Sequence, residues 1–138
     1  MPLPPLQEIL DDYQMVDGED RYRLLIDLGQ MLDPMPDALK TDATKVRGCS
    51  ASVWVYPVED AGRLTFLADS NAAITKGIVA LVLATIQGEP AAKIAETDIA
   101  GELAPFELGK HLSANRTQGV PNMIALIKQT AARLSAAV

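Results

Sequence analysis

The sequence contains a single cysteine, Cys49, and a single histidine, His111. One cysteine cannot form an intramolecular disulfide, and it cannot supply the paired thiols of a CxxC redox motif. Cysteine-rich zinc and iron–sulfur sites need more soft ligands than these two residues provide. Any reactive chemistry at sulfur must therefore be carried out by one thiol.

Basic residues are scarce, and charge is unevenly distributed along the chain. The 12 Lys and Arg residues face 18 Asp and Glu residues, which gives a net charge of −6. Residues 1–69 carry 13 acids and 6 bases, whereas residues 70–138 carry 5 acids and 6 bases. Nucleic-acid binding depends on Lys and Arg that neutralise phosphates. The acidic first half therefore argues against a nucleic-acid partner.

Long apolar runs are also missing. The longest apolar stretch covers residues 77–86, well short of the roughly 20 residues that cross a bilayer. Residues 1–5 have no basic segment followed by an apolar core, so we expect no secretory signal. A free thiol then indicates a cytoplasmic protein that does not bind membranes. The length of 138 residues predicts one domain over residues 1–138.

Apolar residues at helical spacing predict a first helix over residues 6–14. A second helix is predicted to begin with Asp17 as its N-cap and to end before Pro34. Two short helices this close in sequence are expected to form an antiparallel pair. Residues 72–87 are apolar almost all round, which is typical of a buried central helix.

The flanks of that central helix carry capping and helix-starting residues. Residues 69–71, Asp-Ser-Asn, are expected to cap its beginning. Residues 89–90 are predicted to open a short helical segment over residues 91–96, and another short helix is predicted over residues 98–103. The last helix is predicted with Pro121 in its first turn, after a shaped lead-in over residues 115–120.

Strand patterns occupy the middle of the sequence. Residues 53–58 combine β-branched and aromatic side chains, and residues 63–68 alternate between apolar and polar. Turn-forming residues 59–62 separate them, and residues 45–47 are a candidate third strand. The pattern predicts an α+β fold with two or three antiparallel strands.

Cys49 lies at a predicted turn between two strand patterns. Gly48 permits backbone conformations that other residues resist, and Ser50 and Ser52 bring hydroxyl groups close. Such a turn can aim backbone N–H groups at the sulfur, which would favour the nucleophilic thiolate. A buried, inert cysteine is the alternative. If the thiol is reactive, group transfer needs no second cysteine, because the same sulfur receives and donates.

Two other polar features leave alternatives open. A thiol hydrolase would need a histidine beside the thiol, and nothing in the spacing brings His111 to Cys49. The polar segment 115–119 before the last helix is equally readable as a capped loop or as a recognition loop.

Four segments in order resemble the SufE family, the sulfur-acceptor proteins of iron–sulfur cluster assembly. Residues 46–55 (VRGCSASVWV) are similar to the sulfur-acceptor loop of the family. Residues 67–77 (LADSNAAITKG) resemble its strand-to-helix turn, and residues 115–119 (NRTQG) its last motif. Residues 23–32 (RLLIDLGQML) resemble its early helix. Together the four segments make the resemblance specific.

The resemblance implies a small antiparallel sheet of about three strands packed against helices, as in the IscU scaffold proteins. It implies that Cys49 takes sulfur from the persulfide of a SufS-type cysteine desulfurase and passes it to an iron–sulfur cluster scaffold. The chain would then be an activator of that enzyme, not an enzyme itself. It would need no cofactor of its own, because pyridoxal phosphate belongs to the desulfurase.

The resemblance also implies roles for residues around Cys49. In the family the acceptor loop can hold its cysteine in an apolar hollow when free and must move to meet the partner, and the sequence leaves open which state Cys49 adopts at rest. Arg116 matches the arginine of the last motif and is expected to dock the partner or support the loop. The full set of residues expected to support the loop or dock the partner is Arg47, Gly48, Ser50, Ser52, Asp69, Arg116, Gln118 and Gly119.

The chain departs from the family pattern at two positions. Pro121 stands where a helix former is expected, and Asn71 stands where an acid is common. Three rival functions remain: an adaptor that activates a desulfurase by contact alone with Cys49 as core, a cluster scaffold, and a thiol hydrolase. The sequence does not separate the two related branches of the family.

Overall fold

A three-stranded antiparallel sheet and a buried helix form the centre of the computed structural model, which describes residues 3–136. The α+β class predicted from the sequence, with helices packed on a small antiparallel sheet, is confirmed. The strands are β1 (Val53–Asp60), β2 (Arg63–Ser70) and β3 (Glu89–Pro90), in the sheet order β1-β2-β3. The helices are α1 (Leu6–Gln14), α2 (Glu19–Gln30), α3 (Ala73–Ala84), α4 (Ala91–Glu96), α5 (Ile99–Leu103), α6 (Leu108–His111), α7 (Ala114–Thr117) and α8 (Val120–Ala136).

The hairpin of β1 and β2 forms where the sequence predicts it. Its register pairs Val53 with Ser70, and its turn residues Ala61 and Gly62 have φ angles of 54° and 82°. Two consecutive positive φ angles are what a two-residue type I′ turn requires, and this turn matches the twist of paired strands. Alternate residues of the hairpin are buried in the core: Val53, Val55, Leu64, Phe66 and Ala68.

The third strand is not the one that the sequence predicts. Residues 45–47 form only an isolated bridge, between Lys45 and Trp54, before the chain turns away at Gly48. The third strand is Glu89–Pro90, which was predicted as the opening of a helical segment and pairs instead with the start of β2. Proline has no N–H to donate, which confines it to a short edge strand of this kind.

Helix α3 is buried along its middle and packs against both β2 and α2. It crosses α2 at two glycines. A Cβ built at Gly77 would lie 2.1 Å from the backbone oxygen of Leu25, and one built at Gly29 would lie 2.8 Å from the nitrogen of Gly77. Only residues without a side chain permit backbones this close.

Helix α1 does not form the predicted pair with α2. Its Tyr13 ring packs instead on Phe106, with ring centroids 5.3 Å apart. A groove lies between α1 and α2, and the main packing partner of α2 is α3. Tyr13 and Phe106 are both almost fully buried, so the contact between these two rings anchors α1 to the segment that contains Phe106.

Two predicted helix starts differ from the structure. Gly18, with φ of 53°, is the N-cap of α2, and Asp17 contributes its carbonyl oxygen, which accepts from the N–H of Asp20. Residues 69–71 do not supply the N-cap of α3 either, because Asp69 and Ser70 are the last residues of β2 and the N-cap is Ala72. Pro121 lies in the first turn of α8, as predicted.

The C-terminal helices place a polar corner beside the loop that carries Cys49. Helix α8 packs along α4, and α7 packs against α3. The junction of α7 and α8, at Gln118 and Gly119, therefore sits next to residues 47–52, which precede β1. Within residues 3–136, no helix has both the length and the apolar character that crossing a membrane requires.

Candidate functional site

The loop of residues 47–52 presents Cys49 between two anchored ends. On its C-terminal side, the N–H of Ser52 donates to Asn71 Oδ1 at 3.1 Å, and the N–H of Asn71 donates back to the Ser52 carbonyl at 3.3 Å. Gly48 turns the chain with φ of 81°. Cys49 is half-buried at the centre of this loop.

The α7–α8 corner contacts the loop on both sides of Cys49. Asn122 Nδ2 donates to the carbonyl oxygen of Arg47 at 2.9 Å, and Gln118 Nε2 donates to Ser50 Oγ at 2.7 Å. A Cβ at Gly48 would lie 2.3 Å from Asn122 Nδ2. These contacts hold the residues before and after the cysteine against the start of α8.

Gly119 makes the closest approach to the thiol. A Cβ built there would lie 2.1 Å from Cys49 Sγ and 3.2 Å from its Cα. The sulfur therefore occupies the space that a side chain at Gly119 would fill. Around it lies a narrow hollow, whose other walls are formed by Thr75, Ile78, Asn115, Arg116, Val120 and Met123.

The hollow keeps the thiol in its neutral form. Partial burial raises the pKa of the Cys49 thiol above its ordinary value, because an apolar setting disfavours the thiolate. The turn does not aim backbone N–H groups at the sulfur in this arrangement: within residues 3–136, no hydrogen bond is donated to Cys49 Sγ. At rest the cysteine is shielded and weakly nucleophilic.

The raised pKa predicts how Cys49 reacts with pH. The midpoint of the alkylation rate by iodoacetamide is expected at a higher pH in the folded protein than in the urea-unfolded chain. The folded thiol keeps its proton to a higher pH than the unfolded thiol. Its contribution to the stability of the fold is therefore complete below the pKa of the thiol in the unfolded chain, and it is lost as pH rises through the pKa in the folded protein. Rates measured across the alkaline range in both states test this. Equal midpoints would contradict the burial of the thiol.

Asp69 lies at the end of β2 and forms two ion pairs. Its carboxylate is 2.7 Å from Lys40 Nζ and 3.2 Å from Lys76 Nζ. Partial burial acts to raise the pKa of Asp69, but the hydrogen bonds from Lys40, the Ser70 N–H and Lys76 outweigh it and hold the pKa below its ordinary value. The Lys40 ammonium also lies 5.8 Å from the centre of the Trp54 ring. Asp69 therefore ties the segment before the Cys49 loop to the sheet.

The two predicted arginines lie on the surface near the loop. The Arg47 side chain is exposed, and it is its carbonyl that α8 holds. Arg116 is exposed on α7, with its guanidinium carbon 5.5 Å from the centre of the Tyr22 ring. Arg116 also lines the hollow of Cys49. Both arginines thus line the spaces on the surface beside the thiol.

His111 does not reach Cys49. Arg21 Nη1 lies 2.9 Å from Nδ1 and 2.8 Å from Nε2 of the His111 ring, and the Tyr22 hydroxyl donates to the His111 carbonyl at 3.3 Å. His111 is the sole histidine of the chain and is absent from the walls of the Cys49 hollow. The arrangement therefore lacks the base that a thiol hydrolase requires.

The part of the chain that the structure describes contains no group of three or more His, Cys, Asp and Glu residues placed to hold a metal ion. Cys49 is accompanied by hydroxyl, amide and apolar groups instead. Such a set lacks the soft ligands of iron–sulfur clusters, so the observed site is suited to chemistry at a lone sulfur.

Two asparagines that were not predicted as site residues from the sequence also belong to the site. Asn71 is predicted as a helix cap within a family-like segment, and in the structure it ties the end of the loop to the end of β2. Asn122 was not noticed, although it contacts a residue 75 positions earlier. Its position could have indicated a role in the site, because a residue three positions after Gly119 lies on the same side of a helix start as Gly119.

Removing the side-chain amide of Asn122 is expected to loosen the loop. In Asn122→Ala the hydrogen bond to Arg47 is lost, and Cys49 should be alkylated roughly two- to tenfold faster, which corresponds to a net hydrogen bond of about 0.5–1.5 kcal/mol. Gln129→Ala, on the exposed face of the same helix, is the matched control and should leave the rate unchanged. A wild-type rate in Asn122→Ala would show that this contact does not restrain the cysteine.

Comparison with known proteins places this arrangement in a family. The family model described as SufE, Fe-S metabolism associated domain, matches residues 7–131. An uncharacterized SufE-like protein of Rhizobium meliloti is 40% identical over 131 residues, which cover 91% of this chain and 94% of that protein. The sulfur acceptor protein CsdE of Escherichia coli is 37% identical over 103 residues, which cover 74% of this chain and 70% of that protein.

A solved structure shares the fold at low sequence identity. The solution structure of a hypothetical protein from Thermus thermophilus superimposes with a TM-score of 0.74 at 17% identity, covering 96% of this chain and 97% of the other. This similarity supports the three-dimensional arrangement of the sheet and helices.

Proposed function

The chain belongs to the SufE family, and from that premise we propose that it is a sulfur acceptor and carrier that works through Cys49. Its donor is the persulfide of a SufS-type cysteine desulfurase, which it also stimulates by relieving it of sulfur. Its downstream acceptor is an iron–sulfur cluster scaffold. The CsdE protein of Escherichia coli carries the name of sulfur acceptor, which supports this class of function.

The observation that carries the proposal is the position of the only thiol of the chain. Cys49 is held at the centre of a loop whose flanking residues Arg47, Ser50 and Ser52 are anchored by hydrogen bonds. On one side lies the narrow hollow, and on the other an open cavity bordered by Asp42 and residues 45–49. A cysteine held in this way can be moved outward without disrupting the core.

The chemistry is exchange at sulfur. The Cys49 thiol loses its proton, and its sulfur attacks the outer sulfur atom of the donor persulfide. A new sulfur–sulfur bond forms at Cys49 while the bond to the donor cysteine breaks, and that donor cysteine leaves as a thiolate that takes up a proton. No net oxidation or reduction occurs, so the step needs no further cofactor. Pyridoxal phosphate would act only in the desulfurase.

The neighbouring residues have distinct proposed roles. Gly48, Ser50 and Ser52 shape and anchor the loop, and Gln118 and Gly119 form the surface against which it rests. Arg47 and Arg116 present positive charge to the docked partner. Asp69 supports the loop through its ion pair with Lys40, which lies in the segment before the loop. A reducing, cytoplasmic compartment suits a protein whose single thiol must remain free.

Alkylation of Cys49 separates the carrier from an adaptor that acts by contact alone. The protein is treated with iodoacetamide in mild urea, refolded, and added to a purified SufS-type desulfurase with cysteine, which cannot remove a thioether. The carrier proposal predicts loss of the stimulation, whereas a sample taken through urea without iodoacetamide should stimulate fully. Undiminished stimulation by the blocked protein would favour the adaptor.

A further inference from the structure

The net charge of the protein is concentrated in the segment that contains its first two helices. Residues 1–33 carry 8 acids and 2 bases, whereas residues 34–138 carry 10 acids and 10 bases. The first segment therefore has the same net charge of −6 as the whole chain. A field of this kind steers a partner of opposite charge to one region of the surface.

The same region contains an open groove with an apolar floor. It lies between α1 and α2, has a volume of about 550 Å³, and is lined by the apolar side chains Ile9, Leu24, Leu28 and Met31. At its edge, Met15 is 83% exposed. An exposed large apolar side chain beside an apolar groove is characteristic of an interaction surface.

The rim of this groove is acidic. Glu8, Asp12, Asp20 and Asp27 border it, and Arg23 is the one basic residue among its walls. The other arginine of this segment, Arg21, is engaged with the Tyr13 carbonyl and the His111 ring. The rim therefore favours an occupant that combines apolar side chains with lysine or arginine.

We propose that this groove, bounded by α1 and α2, binds an amphipathic helix of a partner protein. Its apolar face would lie on the groove floor, and its Lys and Arg side chains would pair with the acidic rim. Helix-in-groove recognition uses apolar anchors at helical spacing, and α2, at about 1.5 Å per residue, offers some 18 Å of wall, or about three turns. Anionic phospholipid and nucleic acid are disfavoured by the same carboxylates.

The groove is separate from the sulfur site. None of the residues that line the groove also lines the hollow or the open cavity beside Cys49. The proposal therefore does not rest on sulfur transfer at Cys49, and either can fail while the other stands. A partner seated in the groove would leave the Cys49 loop free to move.

A designed peptide of about 15 leucine and lysine residues, with leucine at helical spacing, tests the groove. It is titrated into ¹⁵N-labelled protein, and amide shifts are followed by NMR. We expect the shifts to concentrate on α1 and α2, and we expect a peptide of the same composition with scrambled order to bind at least about fivefold more weakly. Cys49→Ser should bind the peptide like the wild type.

Charge reversal supplies the matched control. The variant Asp12→Lys/Asp20→Lys/Asp27→Lys is expected to weaken binding about tenfold, whereas Glu59→Lys/Asp60→Lys/Glu96→Lys changes net charge equally at exposed sites elsewhere and should weaken it about twofold. A single change at the edge, Met15→Glu, should weaken it without altering the fold. Equal effects of the two triple variants, shifts outside α1 and α2, self-association through the groove, or no binding would each overturn the proposal.

Discussion

Gly119→Ala is expected to displace the Cys49 loop and to raise the alkylation rate of Cys49 by about tenfold or more. The added methyl group would lie 2.1 Å from Sγ and 3.2 Å from Cα of Cys49, so rotation of the thiol alone does not relieve the clash. Overpacking of this kind costs about 1–3 kcal/mol, and a loop held by a few hydrogen bonds yields more easily than α8. The measurement is the rate of iodoacetamide alkylation at neutral pH.

Gly109→Ala is the control for this substitution. A Cβ at Gly109 meets no atom within 4 Å, and the residue is exposed in α6. Its alkylation rate should equal that of the wild type. If Gly119→Ala also reacts at the wild-type rate, the close approach of Gly119 to the sulfur does not govern exposure of Cys49.

Gly77→Ala is expected to cause the largest loss of stability, on the order of 3 kcal/mol. Its methyl group would lie 2.1 Å from the oxygen and 2.5 Å from the carbon of the Leu25 backbone. Neither atom can rotate away, so α2 and α3 must separate. The gain in helix propensity from glycine to alanine, about 1 kcal/mol, is smaller than this cost.

Urea unfolding followed by circular dichroism measures this effect through its midpoint and slope. Gly109→Ala again provides the matched substitution, because it gains helix propensity without a clash. An unfolding free energy of Gly77→Ala at or above that of the wild type would show that the backbones of α2 and α3 do not pack closely at Gly77.

Local elements of this fold could be predicted because their signals are local. The alternation of residues 63–68 and the turn residues before them predicted the β1–β2 hairpin, and the continuous apolar run of residues 72–87 predicted α3. The third strand could not be predicted, since it has two residues, one of them proline. Its pairing depends on where α3 ends, not on any periodicity of its own.

The cysteine of the candidate site could be predicted from the sequence, but two asparagines that hold its loop could not. Cys49 was identifiable because it is the sole thiol and follows a glycine at a turn. Asn122 and Asn71 contact the loop across 75 and 19 residues, and no local pattern reports such distances. The thiol environment was left open by the sequence, which allowed either N–H donors or a buried sulfur, and the fold surrounds the sulfur with a hollow that raises its pKa.

A shielded thiol and a carrier function fit together if the partner releases the loop. In the resting protein Cys49 is half-buried, and its loop is restrained by Asn122 of α8 at Arg47 and by Gln118, at the end of α7, at Ser50. These restraints are a few hydrogen bonds of modest net energy, so docking of the desulfurase can offset them. The faster alkylation expected for Asn122→Ala and Gly119→Ala measures the same release without a partner.

The most direct test of sulfur transfer is the intact mass of the protein after incubation with a SufS-type desulfurase and cysteine. We expect the wild type to gain the mass of one sulfur atom, removable by reductant and located by peptide mapping on Cys49. Cys49→Ser should gain nothing, because a hydroxyl forms no persulfide. An equal gain in Cys49→Ser, or no gain in the wild type with an active desulfurase, would contradict the assignment of Cys49 as the sulfur carrier.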